Sequence, residues 1–243
     1  MNDDWLTHQK KEQELLNMSM KEAFRQRDER LKKEYNMAEK LTTQPVIYTL
    51  GTSIVKFTLP MELVDNINDA YDEKLKELQA HNEHLAGKIK EEKKVNEILT
   101  LSMKDTFLWC FEQYVKLTQL PKWNCVPTQA WINEMKSGEY NPIHYHTSTN
   151  SEVGLSSVLM LKRPDWYGVE ASREERPANG WLQFSGGDQA PLSVSQFRVD
   201  VQVGEFYVFP YTLLHGVYPF NSTDKVRRTL SYNCDLIKKG ENI

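Results

Sequence analysis

Cysteine is scarce in this chain. Its 243 residues include three cysteines, Cys110, Cys125 and Cys234, which are widely spaced and form no CxxC pair. An odd number of cysteines argues against a disulfide framework, and the missing CxxC pair argues against a structural zinc ribbon. The sequence therefore predicts free thiols and a reducing, cytoplasmic location.

Long apolar runs and a large excess of one charge are also missing. The longest apolar stretches, such as Val158–Leu161 and Phe206–Pro210, are far shorter than the roughly 20 residues that span a bilayer. The first residues lack the basic and apolar regions of a secretory signal. With 30 Lys and Arg against 34 Asp and Glu, the formal charge is −4, which does not favour nucleic-acid binding by bulk charge. We expect neither a membrane nor a nucleic acid as partner.

The length allows one sizeable domain with an appendage, or two small domains. Residues 1–41 contain no glycine or proline, and their nine acidic side chains are balanced by nine basic ones. Apolar residues recur there near helical spacing, namely Leu16, Met20, Phe24, Leu31 and Tyr35. This pattern predicts a charged amphipathic helical extension. The helix would lie across its own domain, or contact another copy or a partner protein.

Residues 42–127 show the pattern of a small β-hairpin with supporting helices. The β-branched runs Val46–Leu50 and Ser53–Leu59 flank a glycine, which is typical of a hairpin. Helices are predicted from Pro60 to about Ala80 and over Leu101–Leu117, because apolar residues recur there on one face.

From Thr128 to the end, at residue 243, the chain changes to short strands separated by turn residues. Strands at this spacing predict a barrel or a sandwich, so that the whole chain would be α+β with a mainly β C-terminal part. The predicted strands are Gln129–Met135, Ser156–Lys162, Gly180–Phe184, Phe197–Val203, Glu205–Phe209 and Arg227–Leu236.

Three of the six histidines are candidate metal ligands. His144 and His146 are two residues apart where a strand should begin, so their side chains share a face about 6.5–7 Å apart along the strand. His215 follows an apolar strand, and a buried histidine there needs a partner, either a metal ion or a backbone group. The remaining histidines, His8, His81 and His84, lie in charged stretches and are expected to be exposed.

The last predicted strand alternates between polar and apolar positions. Arg227, Thr229, Ser231 and Asn233 alternate with Leu230, Tyr232 and Cys234. The polar face lies in water or lines a wet pocket inside a barrel. In a pocket, an arginine with a hydroxyl two residues on would bind a carboxylate. Arg228 would point to the opposite face, with its charge reaching the rim.

The order of these motifs resembles the iron(II)- and 2-oxoglutarate-dependent dioxygenases. The shared order is an HxH pair, then Phe-Pro before His-Gly-Val, then Arg-x-Thr beginning twelve residues after His215. More narrowly, the chain is similar to the prolyl-hydroxylase-like branch found in bacteria and marine bacteriophages. The resemblance runs from about Val46 to Leu236, and the segments that carry it are Trp131–His146, Leu155–Pro164, Gly180–Phe184, Val203–Pro219 and Arg227–Asn233, with His84–Glu91 as a further element.

The resemblance implies a double-stranded β-helix, or jelly roll, that hydroxylates an unidentified substrate, with a peptidyl proline as the default. It implies Fe(2+) at His144, His146 and His215, 2-oxoglutarate and O2 as cosubstrates, and Arg227 with Thr229 on the distal carboxylate of 2-oxoglutarate. The family's usual ligand set is His-x-Asp/Glu with a distal His. His146 stands where that carboxylate would be, and a carboxylate from a neighbouring strand is the alternative third ligand: Asp200, Glu205 or Asp235.

The sequence alone allows two other interpretations of the same residues. A degenerate barrel would act as a binding or structural module, docked through the helix at residues 1–41. A cupin-like metal enzyme would keep the three histidines and would have no need of Arg227.

Overall fold

The fold was analysed in a computed structural model. It describes residues 46–49 (backbone), 52–81, 88–120, 122–169, 177–187, 194–221 and 225–240, all of which belong to one compact unit. The helix predicted over 1–41, His8 and His84 lie outside the described residues. No helix in the described part of the chain is both long enough and apolar enough to cross a membrane.

Two helices and eleven strands make up the described part of the chain. The helices are α1 (Met61–Lys74) and α2 (Leu101–Leu117). The strands are β1 (Val46–Thr49), β2 (Ser53–Thr58), β3 (Glu91–Lys94), β4 (Trp123–Met135), β5 (Asn141–His144), β6 (Gly154–Lys162), β7 (Leu182–Ser185), β8 (Gln196–Val199), β9 (Glu205–Pro210), β10 (Leu214–Val217) and β11 (Arg227–Lys238).

The strands form two antiparallel sheets. The major sheet has seven strands in the order β1-β2-β9-β6-β11-β4-β3, and the minor sheet has four in the order β5-β10-β7-β8. Buried side chains of both sheets meet in one apolar core, where Met160 and Phe209 of the major sheet join Leu182 and Phe184 of the minor sheet. The two facing sheets are those of a double-stranded β-helix, which confirms the predicted fold class.

The two faces of β11 explain the alternation in its sequence. Its outward face packs on α2, where the ring of Tyr232 lies 5.5 Å from Phe107 and 5.9 Å from Phe111. Its inward face is also shielded from bulk water, because Thr229 is 3% exposed and Ser231 is 6% exposed. The polar face is therefore inside the protein, which rules out the reading in which it lies on the solvent surface.

Several element boundaries differ from the prediction for physical reasons. The helix predicted to reach Ala80 ends at Lys74, because the chain then turns and runs beside β3, where Ala80 bridges Lys93. The strand predicted from Gln129 starts at Trp123, because its first half pairs with the end of β11. The four charged residues of β3, which pairs with β4 at the edge of the sheet, gave no strand signal.

The prediction that the charge of Arg228 reaches the solvent at the rim of the sheet is wrong. The side chain is 4% exposed and packs over the ring of Tyr71 at 4.5 Å. Its Nε donates to Glu134 (2.6 Å), Nη1 to Asn68 (3.0 Å) and Nη2 to Asp72 (2.6 Å). The outward face of β11 thus carries a buried arginine that pairs with Glu134 inside the sheet and ties the sheet to α1 through Asn68 and Asp72.

Arg228→Ala should lower the free energy of unfolding by about 3–5 kcal/mol, because Glu134 would keep a buried charge without its partner. Urea unfolding measures the loss. Lys162→Ala is the matched control: Lys162 binds the same Asp72 at 2.8 Å, but both side chains are more than 40% exposed. Such a surface pair should contribute less than about 1 kcal/mol. Equal losses in the two variants would contradict this account.

Deletion of residues 1–41 should leave the rest of the chain folded, because the described sheets, helices and core all lie within 46–240. The deletion variant should keep a cooperative thermal transition in circular dichroism. A loss of that transition would show that the segment belongs to the core.

Candidate metal centre and adjoining cavity

His144, His146 and His215 come together at one end of the minor sheet. Antiparallel pairing of β5 with β10 places His144 directly opposite His215, and His146 follows two residues later. The His144 and His215 ring centroids are 4.3 Å apart, and His146 lies 5.1 and 5.0 Å from them. One ligand atom from each ring lies within 4.8 Å of the others, so the three could hold one metal ion.

Backbone hydrogen bonds set the direction of two of these rings. Nδ1 of His144 donates to the Pro142 carbonyl (2.7 Å), and Nδ1 of His215 donates to the Leu213 carbonyl (2.9 Å). A carbonyl only accepts, so the proton of each neutral ring is on Nδ1 and the lone pair is on Nε2. His215 is therefore hydrogen-bonded to the backbone through Nδ1, as one of the two sequence interpretations expected. Its Nε2 is still available to bind a metal ion.

A backbone hydrogen bond positions the third ring, which belongs to His146. The His146 N–H donates to the Tyr211 carbonyl (3.0 Å), in the turn that leads to His215. This bond brings Nε2 of His146 within 3.1 Å of Nε2 of His215.

The electrostatics of the three rings favour metal binding. Burial lowers the pKa of His144 and, with the neighbouring imidazoles, lowers that of His146 to about 3. Burial also holds the pKa of His215 well below its usual value. All three rings are therefore neutral at physiological pH, which is the form that binds metal ions.

The alternative carboxylate ligands are engaged elsewhere in the fold. Asp200 pairs with Arg163 (3.0 Å) and Glu205 with Lys56 (2.8 Å). Asp235 accepts from two hydroxyl groups, at 2.9 Å each. Within the described residues, the group that could hold a metal consists of the three histidines alone.

A cavity of about 720 Å³ opens beside the three histidines. Both sheets contribute to its wall, with Val158, Thr229, Ser231 and Asn233 from the major sheet and Leu182 from the minor sheet. The polar face of β11 therefore lines a pocket, as one of the two sequence interpretations expected.

Arg227 lies on the same strand, two residues before Thr229, but it is not part of the cavity wall. It is 1% exposed, and its Nε donates to the Gly180 carbonyl (3.0 Å). Its Nη2 has no hydrogen-bond partner among the described residues, and burial lowers its pKa. A buried guanidinium with an unused donor is costly unless an anion meets it.

Two residues of the cavity wall were missed by sequence reasoning. His81, which was expected to be exposed, is half-buried, and Glu92 is 1% exposed; both line the cavity. Burial raises the pKa of Glu92 to about 8. The charged run that contains Glu92 is typical of a solvated surface, so no sequence signal pointed to a buried carboxyl group there.

Glu92 should make stability depend on pH. The folded state keeps its proton up to about pH 8, whereas the unfolded chain releases it near the ordinary value of 4.5. The stabilising difference is therefore complete below about pH 4.5 and is lost as the pH rises through 8. Relative to wild type, Glu92→Gln should gain about 2–3 kcal/mol between about pH 6 and about pH 9.

Urea unfolding at the two pH values measures that gain. Glu91→Gln is the matched control on the same strand, because Glu91 is partly exposed and pairs with Lys136 at 3.4 Å. A difference between the Glu92→Gln variant and wild type that does not change with pH would contradict the raised pKa.

Residues 129–233 match the model of a protein family described as 2OG-Fe(II) oxygenase. The segment contains the three histidines, Arg227 and Thr229. Among curated proteins, no sequence matches the chain.

Three solved structures show the same fold at low sequence identity. A Pseudomonas putida prolyl-4-hydroxylase is 15% identical, with a TM-score of 0.52 over 83% of this chain and 98% of that chain. AviO1 from Streptomyces viridochromogenes Tue57 is 13% identical, with a TM-score of 0.52 over 79% of this chain and 92% of that chain. The collagen prolyl hydroxylase of Paramecium bursaria Chlorella virus-1, solved with 2OG, is 13% identical, with a TM-score of 0.50 over 75% of this chain and 96% of that chain.

Proposed function

We propose that this chain is a 2OG-Fe(II) oxygenase of the prolyl-hydroxylase-like branch, and that it hydroxylates a substrate with iron held by His144, His146 and His215. Fe(2+), 2-oxoglutarate and O2 are the cofactor and cosubstrates of this family. The observation that carries the proposal is the convergence of three neutral imidazoles, with ligand atoms within 4.8 Å of one another, at the wall of a 720 Å³ cavity.

The positions of the nitrogens fit a shared ion. Two adjacent ligands of a six-coordinate ion, each at about 2.1 Å, lie about 3.0 Å apart. The 3.1 Å between Nε2 of His146 and Nε2 of His215 agrees with that spacing. The Nδ1 bonds of His144 and His215 would keep both rings turned toward the metal, as outer hydrogen bonds do for histidine ligands.

Three neutral ligands have an electrostatic consequence. A His-x-Asp/Glu set lowers the charge of a ferrous centre by one unit, whereas three imidazoles leave it at two positive charges. The dianion 2-oxoglutarate would therefore meet a more positive centre. Bound iron would supply the oxidative chemistry, and the chain would hold the metal, orient both substrates and exclude water.

Arg227 and Thr229 are proposed to bind the distal carboxylate of 2-oxoglutarate. The unused Nη2 of Arg227 supports this role, because a carboxylate would satisfy a buried donor that the protein leaves open. Thr229 lies in the cavity wall on the same face of β11 and offers its hydroxyl group beside it.

A peptide that contains proline is the first substrate to test, since the Pseudomonas putida neighbour is a prolyl-4-hydroxylase. Purified protein, supplied with iron(II) and 2-oxoglutarate in air, should form succinate, and mass spectrometry of a peptide library should find products with one added oxygen. Iron content close to one per chain should accompany the activity. Protein that binds no iron and forms no succinate would overturn the proposal and favour a binding module on a degenerate barrel.

We further propose a cytoplasmic location, in the host cytoplasm if a phage encodes the protein. Cys110, Cys125 and Cys234 are free thiols in the structure, and such thiols persist in a reducing compartment. Contact with another copy or a partner protein through residues 1–41 also remains a proposal.

A further inference from the structure

We propose that Asp235 is a positioning residue for the metal centre, and that it acts by holding Ser148 and Tyr211 on the two chain segments that carry the metal ligands. The inference deepens the proposed function and rests on it, since it concerns the same metal centre. Ser148 and Tyr211 line the cavity, whereas Asp235 does not. The carboxylate therefore lies behind the cavity wall and acts on the metal through its neighbours.

Asp235 is fixed on a rigid part of the fold. It lies on β11, between β6 and β4 in the middle of the major sheet, where it pairs with Gly154 on one side and with Val126 on the other. The residue is 2% exposed, so its carboxylate has few alternative positions. A side chain on such a strand is a more precise support for a site than a side chain on a loop.

The carboxylate binds two hydroxyl groups from different segments of the chain. Oδ2 accepts a hydrogen bond from Oγ of Ser148, and Oδ1 accepts one from the hydroxyl group of Tyr211, at 2.9 Å each. Ser148 follows His146 by two residues, and Tyr211 precedes His215 by four. One side chain of β11 therefore connects the segment after β5 with the turn before β10.

His146 is the ligand that depends most on this connection. The rings of the other two ligands are each held at Nδ1 by a backbone carbonyl. Among the described residues, the ring of His146 has no such bond. Its position follows from the bond of its backbone N–H to the Tyr211 carbonyl (3.0 Å) and from the chain that leads to Ser148. Asp235 holds the side chains of both neighbours.

The ring of Tyr211 is packed against the strand next to Asp235. A Cβ added at Gly154 would lie 2.0 Å from that ring, so the ring rests directly on the backbone of β6. Burial and the neighbouring charge of Asp235 raise the pKa of Tyr211 well above its ordinary value. The hydroxyl group therefore keeps its proton and donates it to the carboxylate as a hydrogen bond.

A carboxylate suits this position better than a neutral side chain does. It offers two acceptor oxygens for two donors, whereas asparagine has a single acceptor oxygen. Its charge makes both bonds roughly twice as strong as bonds between neutral groups. Within the described residues, no lysine or arginine pairs with Asp235, so its hydrogen bonds to the two hydroxyl groups are what the buried charge provides.

Metal binding by variants of the whole protein tests the positioning role. Cobalt(II) is the probe, because its visible absorption bands report the geometry of its ligands, and its affinity is measured by competition with a chelator. Asp235→Asn keeps the size of the side chain and removes the charge. The affinity should fall about 10- to 100-fold, as it does when groups that orient metal ligands are changed, and the bands of the bound ion should shift. Ser148→Ala should cause a smaller change in the same direction.

Glu205→Gln is the matched control. Glu205 is another carboxylate of the major sheet, but it pairs with Lys56 at 2.8 Å and does not line the cavity. Its replacement should leave the cobalt(II) affinity and spectrum unchanged. The double variant of Asp235→Asn with Ser148→Ala should lose less affinity than the sum of the two single losses, because both changes remove the same hydrogen bond.

The results separate the two proposals. A thermal melt shows which variants are folded, and a purely structural role would lower the melting temperature without changing the affinity or the spectrum of the folded protein. Unchanged affinity and spectrum in folded Asp235→Asn protein would overturn the positioning role and leave the metal centre intact. If that variant does not fold, Ser148→Ala decides in the same way. Wild-type protein that binds neither cobalt(II) nor iron(II) would overturn the metal centre and the positioning role together.

Discussion

Replacement of His215 or of His144 by alanine should abolish stoichiometric binding of iron(II). Each change removes one of three ligands, and the remaining two imidazoles form a much weaker site. Within the described residues, the group that could hold a metal consists of these three histidines, so no fourth member replaces a lost one. Metal analysis after anaerobic loading and desalting measures the loss. Ile143→Ala is the control, since Ile143 lies on the same strand, is 47% exposed and is not part of the cavity wall.

Near-stoichiometric iron in either histidine variant would contradict the assignment of the site. His146 gives a sharper comparison, because related enzymes have a carboxylate at this position. His146→Asp should keep iron and His146→Ala should lose most of it. Full iron content in the alanine variant would mean that another group completes the site.

Replacement of Arg227 by alanine should weaken 2-oxoglutarate binding by at least an order of magnitude. Loss of a charge-assisted contact to a buried carboxylate costs about 2–5 kcal/mol, which is roughly 30- to 5,000-fold in affinity. Arg228 is the matched control, because it points to the opposite face of β11 and binds Glu134 and Asp72. Arg228→Ala should reduce stability and leave the affinity of the folded protein nearly unchanged.

Titration of 2-oxoglutarate against anaerobic iron(II)-loaded protein measures both affinities. Since Arg227 is buried, Arg227→Lys should be compared as well. It keeps the charge but cannot form two parallel hydrogen bonds, so an intermediate affinity is expected. Equal losses at the two arginines, or a larger loss at Arg228, would show that Arg227 does not bind the cosubstrate.

Motif order and alternation were enough to predict the fold and the grouping of three histidines. The alternation along β11 predicted its two faces correctly, because strand geometry alone decides which side chains share a face. Sequence could not predict the partners of Arg228, since Asn68 and Asp72 are 160 and 156 residues away along the chain. Such contacts depend on how α1 packs on the sheet, which no local pattern encodes.

The charged strand β3 shows a second limit of prediction from sequence, because it places a carboxyl group in the cavity wall. Glu92 is preceded and followed by charged residues, and its sequence environment is that of a solvent-exposed segment. Pairing with β4 turns this one side chain into the cavity and leaves its neighbours Glu91 and Lys93 on the opposite face. The cavity wall therefore contains a carboxyl group that only tertiary structure reveals.

The short strand β5 carries one histidine of the site at the outer edge of the minor sheet. It has four residues, and its pairing with β10 shifts register after the contact between His144 and His215. An ion bound by both residues would join the two strands as a removable cross-link, so the concentration of free iron would set how firmly the sheet edge is closed. Amide hydrogen exchange along β5 should then slow as iron is added.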